Sequence, residues 1–299
     1  MPALKEAGYL DRFSLGMVTS AGSLGLLFAP SLPLILYGVV SGEPIRDLFI
    51  AGIIPGVLMI TLLAGYSVWT CRGLKRPLVL FSRQEALTSL RDAAWEIPLP
   101  LVVLGGIYSG FFAISEAAAV MAVYVTVVEV FVLKEIPVSK LPGIMRESSV
   151  LICAILLILG LSLASTNFMI DAEIPQKLLA LISQWVSSEF TFLLLLLLFL
   201  LVLGAILDIF SSLVLIVPLV LPVATEFGIN PVHLGILFLA AMELGYLTPP
   251  VGMNLFISSY RFDRPITAVY MSTIPFFLVM LVCVLMITFW PQLSLWLLA

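Results

Sequence analysis

A long apolar stretch, 204–257, carries an acid and then a cluster of glycine and proline, a combination that few folds can accommodate. Asp208 lies in its first part, and the sequence Gly-Tyr-Leu-Thr-Pro-Pro-Val-Gly, 245–252, interrupts its second part. Glycine and proline at bilayer depth free backbone groups, which are tolerated only where they are buried in protein or line a cavity. An acid inside an apolar run indicates a functional site. The stretch therefore predicts a membrane site built on an interrupted helix.

The same pattern occurs near the beginning of the chain. A shift of 220 residues, without gaps, places Gly25 on Gly245 and Pro30 on Pro250. Matches of leucine and alanine carry little weight in so apolar a chain, whereas matches of glycine and proline are informative. Two interrupted segments, one in each half, are typical of transporters that are built from repeats and bind their cargo where the breaks meet.

Composition defines the class of protein. Of the 299 residues, 62% are hydrophobic and 11% are charged, whereas soluble domains are about 25% charged. This predicts an all-α polytopic membrane protein. The three cysteines are isolated and support neither a disulfide framework nor a metal motif. With a single histidine and no HExxH or GxSxG motif, an intramembrane enzyme is not expected. A nucleic-acid partner is not expected either.

Apolar runs and charged loops divide the chain into seven predicted segments. They are the second part of a first transport repeat (1–42, with a broken helix at 13–40), a scaffold helix (43–71), a cytoplasmic interfacial helix (72–96), membrane helices with a cytoplasmic loop at 134–147 (97–170), an external amphipathic helix (171–189), a second transport repeat (190–260) and a C-terminal membrane helix (265–299).

The second repeat combines a predicted re-entrant hairpin, 190–222, with a second broken helix, 232–260. The hairpin has Asp208 at its tip. Two half-helices of about 13 residues each are too short to cross a hydrocarbon core of about 30 Å. The length of the run therefore favours a hairpin over two spans.

The distribution of lysine and arginine predicts the topology. When 1–12, 72–96, 134–147 and 261–264 share one side, that side holds 12 of the 14 basic residues, and the positive-inside rule makes it cytoplasmic. This count requires the hairpin to enter and leave from the same side. The two broken helices then begin on opposite sides of the membrane, so we expect the repeats to be inverted.

A set of ordered motifs runs through essentially the whole chain. They are Gly22-Ser-Leu-Gly25, Pro30-Ser-Leu-Pro33, Gly106-Ile-Tyr-Ser-Gly110, Ser115-Glu116-Ala-Ala-Ala119, Leu207-Asp208, Pro231-Val-His233 and Leu247-Thr-Pro-Pro-Val-Gly252-Met-Asn254. In this order they closely resemble the large membrane subunit of the tripartite ATP-independent periplasmic (TRAP) transporters.

The resemblance implies an elevator-type fold of inverted repeats that imports an organic acid, such as a C4-dicarboxylate or sialic acid. It implies sodium as the coupling ion, with a small membrane subunit and a periplasmic substrate-binding protein as partners. It also implies a multi-pass protein in the lipid bilayer of a bacterial inner membrane.

Two departures from the family pattern stand out. Ala29 occupies a position where the first break of the family usually has a second proline. The sequence also begins just after the position of the family's first hairpin, so we expect it to correspond to the C-terminal two-thirds of a full subunit.

The candidate cation- and substrate-binding residues lie at the two breaks and in the hairpin. They are Ser23, Gly25, Pro30, Ser31, Asp208, Ser211, Ser212, Gly245, Thr248, Pro249, Pro250, Gly252 and Asn254. Unwound carbonyl groups at such breaks bind cations, and helix N-termini face anionic groups. Asp208 and Thr248 are the candidate sodium ligands. A second role for Asp208 stays open, in which its carboxylate caps the following helix.

Three further polar residues have alternative explanations. Glu116 opens a helix, where the helix dipole is a sufficient reason for an acid. Glu243 lies two residues before the second break, and its assignment to the site stays open. His233 is expected at the external surface, or as a cap, rather than in a proton relay.

Two other functions stay open beside the TRAP subunit. One is a sodium/carboxylate symporter that works without a binding protein, against which the motif set argues. The other is a non-transporting fragment or an assembly partner.

Overall fold

The computed structural model describes residues 2–72, 82–174 and 188–298, together with Lys177, Ala180 and Val186. These residues form two compact units, one made of 1–76 and 158–299 and the other of 77–157. The predicted external amphipathic helix, 171–189, lies mostly outside the described residues, as does the first part of the predicted interfacial segment, 72–96.

Helices account for the regular structure of the described residues. In chain order they are α1 (Pro2–Glu6), α2 (Asp11–Ala21), a 3-10 turn (Leu24–Leu27), α3 (Leu32–Ser41), α4 (Ile45–Ala51), α5 (Ile53–Cys71), α6 (Arg83–Asp92), α7 (Pro98–Tyr108), α8 (Ile114–Val127) followed by a π-helical turn (Val128–Val132), a 3-10 turn (Val138–Lys140), α9 (Leu141–Asp171), α10 (Glu189–Ile206), α11 (Ile209–Glu226), α12 (Pro231–Gly245), α13 (Met253–Phe262), α14 (Ile266–Phe289), α15 (Gln292–Leu295) and a 3-10 turn (Trp296–Leu298).

Five stretches of the described residues are long and apolar enough to cross a membrane, and the bent pair Asp11–Leu27 with Leu32–Ser41 is a sixth when it is taken as one span. The five are Ile45–Cys71, Ile114–Val132, Glu189–Ile206, Ile209–Glu226 and Ile266–Phe289. The described residues contain no β-strand. The expected all-α polytopic membrane protein is therefore confirmed.

The first break lies between the segment Asp11–Leu27, which is α2 with the 3-10 turn, and α3, and the bend between the two is 41°. The chain passes through a 3-10 turn, and Ser31 then caps α3 by accepting a hydrogen bond from the backbone N–H of Leu34 at 3.5 Å. Pro33 stands in the first turn of α3, where a missing N–H costs nothing. Local sequence chemistry thus ends one helix and starts the next.

Helices α10 and α11 are longer than the sequence predicted. Each has 18 residues, or about 27 Å at 1.5 Å per residue. The expectation of half-helices of about 13 residues is wrong, because Pro218 and Pro222 lie inside α11, which continues to Glu226. Each proline removes one hydrogen bond without ending the apolar helix. Helix length therefore no longer favours a hairpin, whose support is now the distribution of basic residues.

Helix α12 forms the centre of the first unit. Every residue from Val232 to Gly245 is buried, and the helix packs against α10, α11, α14, α4 and the first 3-10 turn. A helix that is apolar on all sides belongs in a core. The Tyr37 hydroxyl of α3 donates a hydrogen bond to the carbonyl of Pro231 at 2.6 Å, which ties the first repeat to the start of α12.

His233 is placed differently from the sequence-based expectation. It is only 1% exposed, and its Nδ1 lies 3.2 Å from the hydroxyl of Ser294. The cap of α12 is Asn230, whose side-chain oxygen accepts hydrogen bonds from two backbone N–H groups. The expected surface or capping position of His233 is therefore wrong, since the first turn of α12 is already covered by the C-terminal segment.

Corresponding helices of the two repeats make reciprocal contacts. In the first repeat, α2 packs against α13 and α14; in the second, α12 packs against α3 and α4. Helix α5 packs against α14. This exchange brings the two breaks into the same part of the first unit.

In the second unit, side-chain caps start two helices. Ser82 accepts a hydrogen bond from the backbone N–H of Glu85 at the start of α6. The carboxylate of Glu116 accepts one from the backbone N–H of Ala113 at 2.9 Å, just before α8. Capping thus accounts for Glu116 without a role in binding.

Candidate functional site

The connection between α10 and α11 is a two-residue link, Leu207-Asp208, with extended backbone at both residues. Asp208 Oδ2 accepts hydrogen bonds from the backbone N–H groups of Phe210 and Ser211, both at 3.0 Å. The capping role is thus present. Asp208 Oδ1 accepts no hydrogen bond from a described residue, so this half-buried carboxylate keeps one oxygen for a ligand.

The second break holds this link through hydrogen bonds. The backbone N–H of Ile209 donates to the hydroxyl of Tyr246 at 2.9 Å. The backbone N–H of Val251 donates to the carbonyl of Ala205 at 3.0 Å. The end of α10, the start of α11 and the turn 246–252 therefore form one hydrogen-bonded group, which we call the second-half junction.

Two glycines bring the backbones of α10 and α12 close together at the second-half junction. A Cβ atom on Gly245 would lie 2.7 Å from the Cα and carbonyl carbon of Gly204, so α10 and α12 touch where neither has a side chain. Small residues permit such approach between membrane helices. Gly245 is thus placed to pack helices together, and the predicted site residue has a structural role.

The turn between α12 and α13 exposes carbonyl groups. Among the described residues, nothing donates a hydrogen bond to the carbonyls of Thr248, Pro249 and Pro250, and the two prolines have no N–H of their own. The peptide bond between Pro249 and Pro250 is cis. Gly252 then adopts a left-handed conformation, with φ +48°, and starts α13.

The hydroxyl of Thr248 donates to the carbonyl of Leu244 at 3.2 Å. A hydroxyl that donates in this way keeps its lone pairs as acceptors. Within the described residues there is no group of three or more His, Cys, Asp or Glu side chains able to hold a metal ion. The oxygen donors at the second-half junction are instead one carboxylate, one hydroxyl and unpaired carbonyls, the hard ligands that an alkali cation prefers.

The first break satisfies more of its own polar groups. The hydroxyl of Ser31 donates to the carbonyl of Leu26 at 2.6 Å while it caps α3. Gly25 has open space where a side chain would be, and Pro30 is exposed after a cis peptide bond. Ser23 is buried, and its hydroxyl has no partner of acceptable hydrogen-bond geometry among the described residues.

The helices next to the two breaks meet beside a cavity of about 250 Å³ between α2 and α13. The hydroxyl of Thr19 donates to that of Ser258 at 2.9 Å, and the side-chain amide of Asn254 donates to the Thr19 carbonyl at 3.5 Å. Arg261 also lines this cavity. A guanidinium beside hydroxyls and an amide can bind a carboxylate.

The predicted site residues thus divide into groups. Asp208, Gly245 and Thr248 to Gly252 lie at or next to the second-half junction, and Asn254 lies at the cavity between α2 and α13. Ser31 is used locally by the first break. Ser211 is half-buried beside Asp208, whereas Ser212 is fully buried, with no hydrogen-bond partner for its hydroxyl among the described residues.

Sequence reasoning missed Tyr246, Thr19, Ser258 and Arg261. Tyr246 lies inside the Gly-Tyr-Leu-Thr-Pro-Pro motif, which is the only sequence signal it offered. The contact between Thr19 and Ser258 joins residues 239 positions apart, and a hydroxyl in a helix gives no indication of such a partner.

Comparison with known proteins places this arrangement in a family. A family model described as "Tripartite ATP-independent periplasmic transporter, DctM component" matches residues 1–293. In such transporters a large permease works with a small membrane subunit and a periplasmic binding protein. They are transport proteins and not enzymes.

Individual relatives are similar along nearly the whole chain. The C4-dicarboxylate TRAP transporter large permease protein DctM of Pseudomonas aeruginosa is 35% identical over 97% of this chain and 68% of its own length. The sialic acid permease SiaM of Vibrio cholerae is 32% identical over 98% of this chain and 69% of its own length. The isethionate permease DctMQ of Oleidesulfovibrio alaskensis is 30% identical over 97% of this chain and 46% of its own length. This chain belongs to the family of large permease components, DctM, of the tripartite ATP-independent periplasmic transporters.

Proposed function

We propose that this chain imports an organic acid into a bacterium, driven by sodium, as the large subunit of a transporter in the inner membrane. It would work with a small membrane subunit and a periplasmic substrate-binding protein. The observation that supports this most strongly is the second-half junction, where the Asp208 link is bonded to a broken helix with unpaired carbonyl groups.

The chemistry of the relatives' named substrates supports the substrate class. Relatives at 30–35% identity are named for C4-dicarboxylate, isethionate, ectoine and sialic acid. All four compounds carry a carboxylate or sulfonate group. The cavity lined by Thr19, Asn254, Ser258 and Arg261 offers donors for such a group. In the topology that we predict from the basic residues, Arg261 would lie at the cytoplasmic side, where an imported acid leaves.

The proposed sodium ligands belong to the second-half junction alone. They are Asp208 Oδ1, the hydroxyl oxygen of Thr248 and the carbonyls of Thr248, Pro249 and Pro250. An ion among them would be coordinated by oxygen only and would neutralise the carboxylate, which is costly to keep charged in a partly buried place. Bound sodium would also fix the turn 246–252 against α11, and so shape the surface that meets the substrate.

We propose alternating access of the elevator type. The transport domain would combine the two broken helices with α10 and α11 and move against scaffold helices such as α5. The reciprocal packing of α2 and α12 supports inverted repeats, since a two-fold relation between the halves produces paired contacts of this kind.

Uptake into proteoliposomes tests this function. The chain would be reconstituted with its small membrane subunit, and radiolabelled succinate or sialic acid would be supplied with the periplasmic binding protein. We expect uptake under an inward sodium gradient and none under an equal potassium gradient, and omission of either partner should abolish it. Arg261→Gln should reduce uptake, whereas Arg264→Gln, which breaks an exposed ion pair with Asp11, should not.

The possible results separate the alternatives. Sodium-driven uptake that persists without the binding protein would mean an independent symporter. Absence of uptake from the complete system, with both substrates and with folded protein, would favour a non-transporting subunit.

A further inference from the structure

Glu243 is a buried acid for which the proposed transport cycle gives no role. It lies on α12 and is 0% exposed. Neither carboxyl oxygen has a hydrogen-bond partner of acceptable geometry among the described residues. The helix around it is buried on every side, so the carboxyl group does not face bulk solvent.

The neighbours of Glu243 come from the other repeat and from α14. The hydroxyl of Ser23, at the first break, is close enough to interact with the carboxyl group, although the two groups do not reach hydrogen-bond geometry. The thiol of Cys283 on α14, itself fully buried, also interacts with Glu243. Glu243 therefore lies between the second broken helix and the first.

No cation compensates this acid within the described residues. Among the described residues, no lysine, arginine or histidine acts on Glu243, from α12 itself or from α3, α4, α10, α11, α14, α15 and the first 3-10 turn packed around it. The nearby acid Asp208 interacts with Tyr246 and not with Glu243. Within the described part of the chain, Cys283 is thus the titratable group that interacts with Glu243.

An ionised carboxylate in such a place is strongly disfavoured. Removing its charge from water costs several kcal/mol, which only a counter-ion or several hydrogen bonds could offset. A metal cation requires a shell of oxygen ligands, whereas the side chains here provide one carboxyl group and one hydroxyl. A proton needs no shell and no extra space.

We propose that Glu243 is a proton-binding site, and that its protonated carboxyl group donates a hydrogen bond to the hydroxyl of Ser23. The proton comes from water and sits on one carboxyl oxygen, and Ser23 is the acceptor. This bond would link the two broken helices directly. Separation of α12 from the first break would expose the acid to water, to which it would release the proton.

The consequence is a link between protons and conformation that does not depend on sodium. A state in which Glu243 is buried binds one more proton than a state in which it is exposed to neutral water. The equilibrium between two such states changes by at most about tenfold per pH unit. This site is distinct from the ligands proposed for sodium at the second-half junction.

Infrared difference spectroscopy on the full chain tests the proposal. Protein purified in detergent near neutral pH should show the carbonyl stretch of a protonated carboxyl group, with a small downshift in heavy water. Glu243→Gln should remove this band, because an amide has no such stretch. Glu226→Gln is the matched control, since Glu226 is an exposed acid on α11, and it should leave the band unchanged.

Two further variants test the link to Ser23. Ser23→Ala should shift the band to higher frequency, as expected for a carboxyl group that loses its acceptor. Ser14→Ala removes another buried hydroxyl, nine positions earlier on α2, and should leave the band in place. The comparison of Ser23→Ala with Ser14→Ala also tests the proposal if Glu243→Gln does not fold.

The spectra are to be recorded in sodium and in potassium. The proposal requires the band in both salts. Its absence from both, or its persistence in Glu243→Gln, would overturn the proton site. A band seen in potassium but lost in sodium would show that sodium occupies Glu243, which would overturn the proton site and yet support sodium binding. A band that stays unmoved in Ser23→Ala would overturn the bond to Ser23.

Discussion

At the scale of single residues, Gly245 shows what the second-half junction requires. Its Cα touches the backbone of Gly204, which places the end of α12 against the end of α10. No larger residue fits there, because the neighbouring atoms are backbone and cannot rotate away. The glycine thereby sets the distance between the broken helix and the Asp208 link.

Gly245→Ala should therefore destabilise the protein. The added methyl group would lie 2.7 Å from backbone atoms, and overpacking of this kind costs about 1–3 kcal/mol. Gly65→Ala is the matched control, since Gly65 lies in a helix, α5, with nothing within 4 Å of the added atom. Thermal unfolding in detergent should show a lower midpoint for Gly245→Ala only, and equal midpoints would contradict close packing at this position.

At the scale of elements, the turn 246–252 is hydrogen-bonded to the end of α10 and to the start of α11. One of the two hydrogen bonds comes from a side chain, the hydroxyl of Tyr246, which accepts from the backbone N–H of Ile209. The other joins the backbones of Val251 and Ala205. The Asp208 link and the turn are thus expected to move together.

Tyr246→Phe tests this coupling. The substitution keeps the ring but leaves the N–H of Ile209 without its acceptor, which costs about 1–3 kcal/mol for a buried group. Hydrogen exchange of the peptide that contains Ile209 should become faster. Tyr260→Phe is the control, because Tyr260 is 93% exposed on α13, and it should change nothing. Unchanged exchange in Tyr246→Phe would mean that the link is held by other contacts.

The elements also show what could be predicted from sequence. Both breaks were predictable, because glycine and proline interrupt a helix through local chemistry at 22–33 and 245–252. The end of α11 was not predictable, because a proline inside an apolar helix removes one hydrogen bond but does not end the helix, which continues past Pro222 to Glu226. The predicted surface or capping position of His233 was wrong, because its burial depends on which segment packs over it. Its neighbour Ser294 is 61 residues away in the sequence.

The candidate site also combines features that the local sequence predicts with contacts that depend on packing. Asp208 and Thr248 could be selected as polar groups beside a break, and the structure gives each an oxygen that is free to accept. The contact of Tyr246 with Ile209, the pairing of Thr19 with Ser258 and the position of Arg261 depend on helix packing. No local pattern encodes a contact between residues that lie 37 positions apart, as Tyr246 and Ile209 do, or 239 positions apart, as Thr19 and Ser258 do.

At the scale of the whole molecule, a few polar contacts join two related halves of an apolar protein. The second half supplies the proposed sodium ligands, and the first half contributes Thr19 to the cavity and Ser23 beside Glu243. Sodium at the second-half junction would tie the Asp208 link to the broken helix. The proposed transport therefore depends on sodium binding by the folded chain.

The most direct test is the unfolding temperature of the purified chain in sodium and in potassium at equal ionic strength. A ligand that binds only the folded state stabilises it by about 1.4 kcal/mol at ten times its Kd. We expect a higher unfolding temperature in sodium, with the difference lost in Thr248→Ala and reduced in Asp208→Ala. Thr225→Ala, which removes a similar hydroxyl near the end of α11, should keep it. Equal unfolding temperatures in the two salts for the unmodified chain would contradict the sodium site.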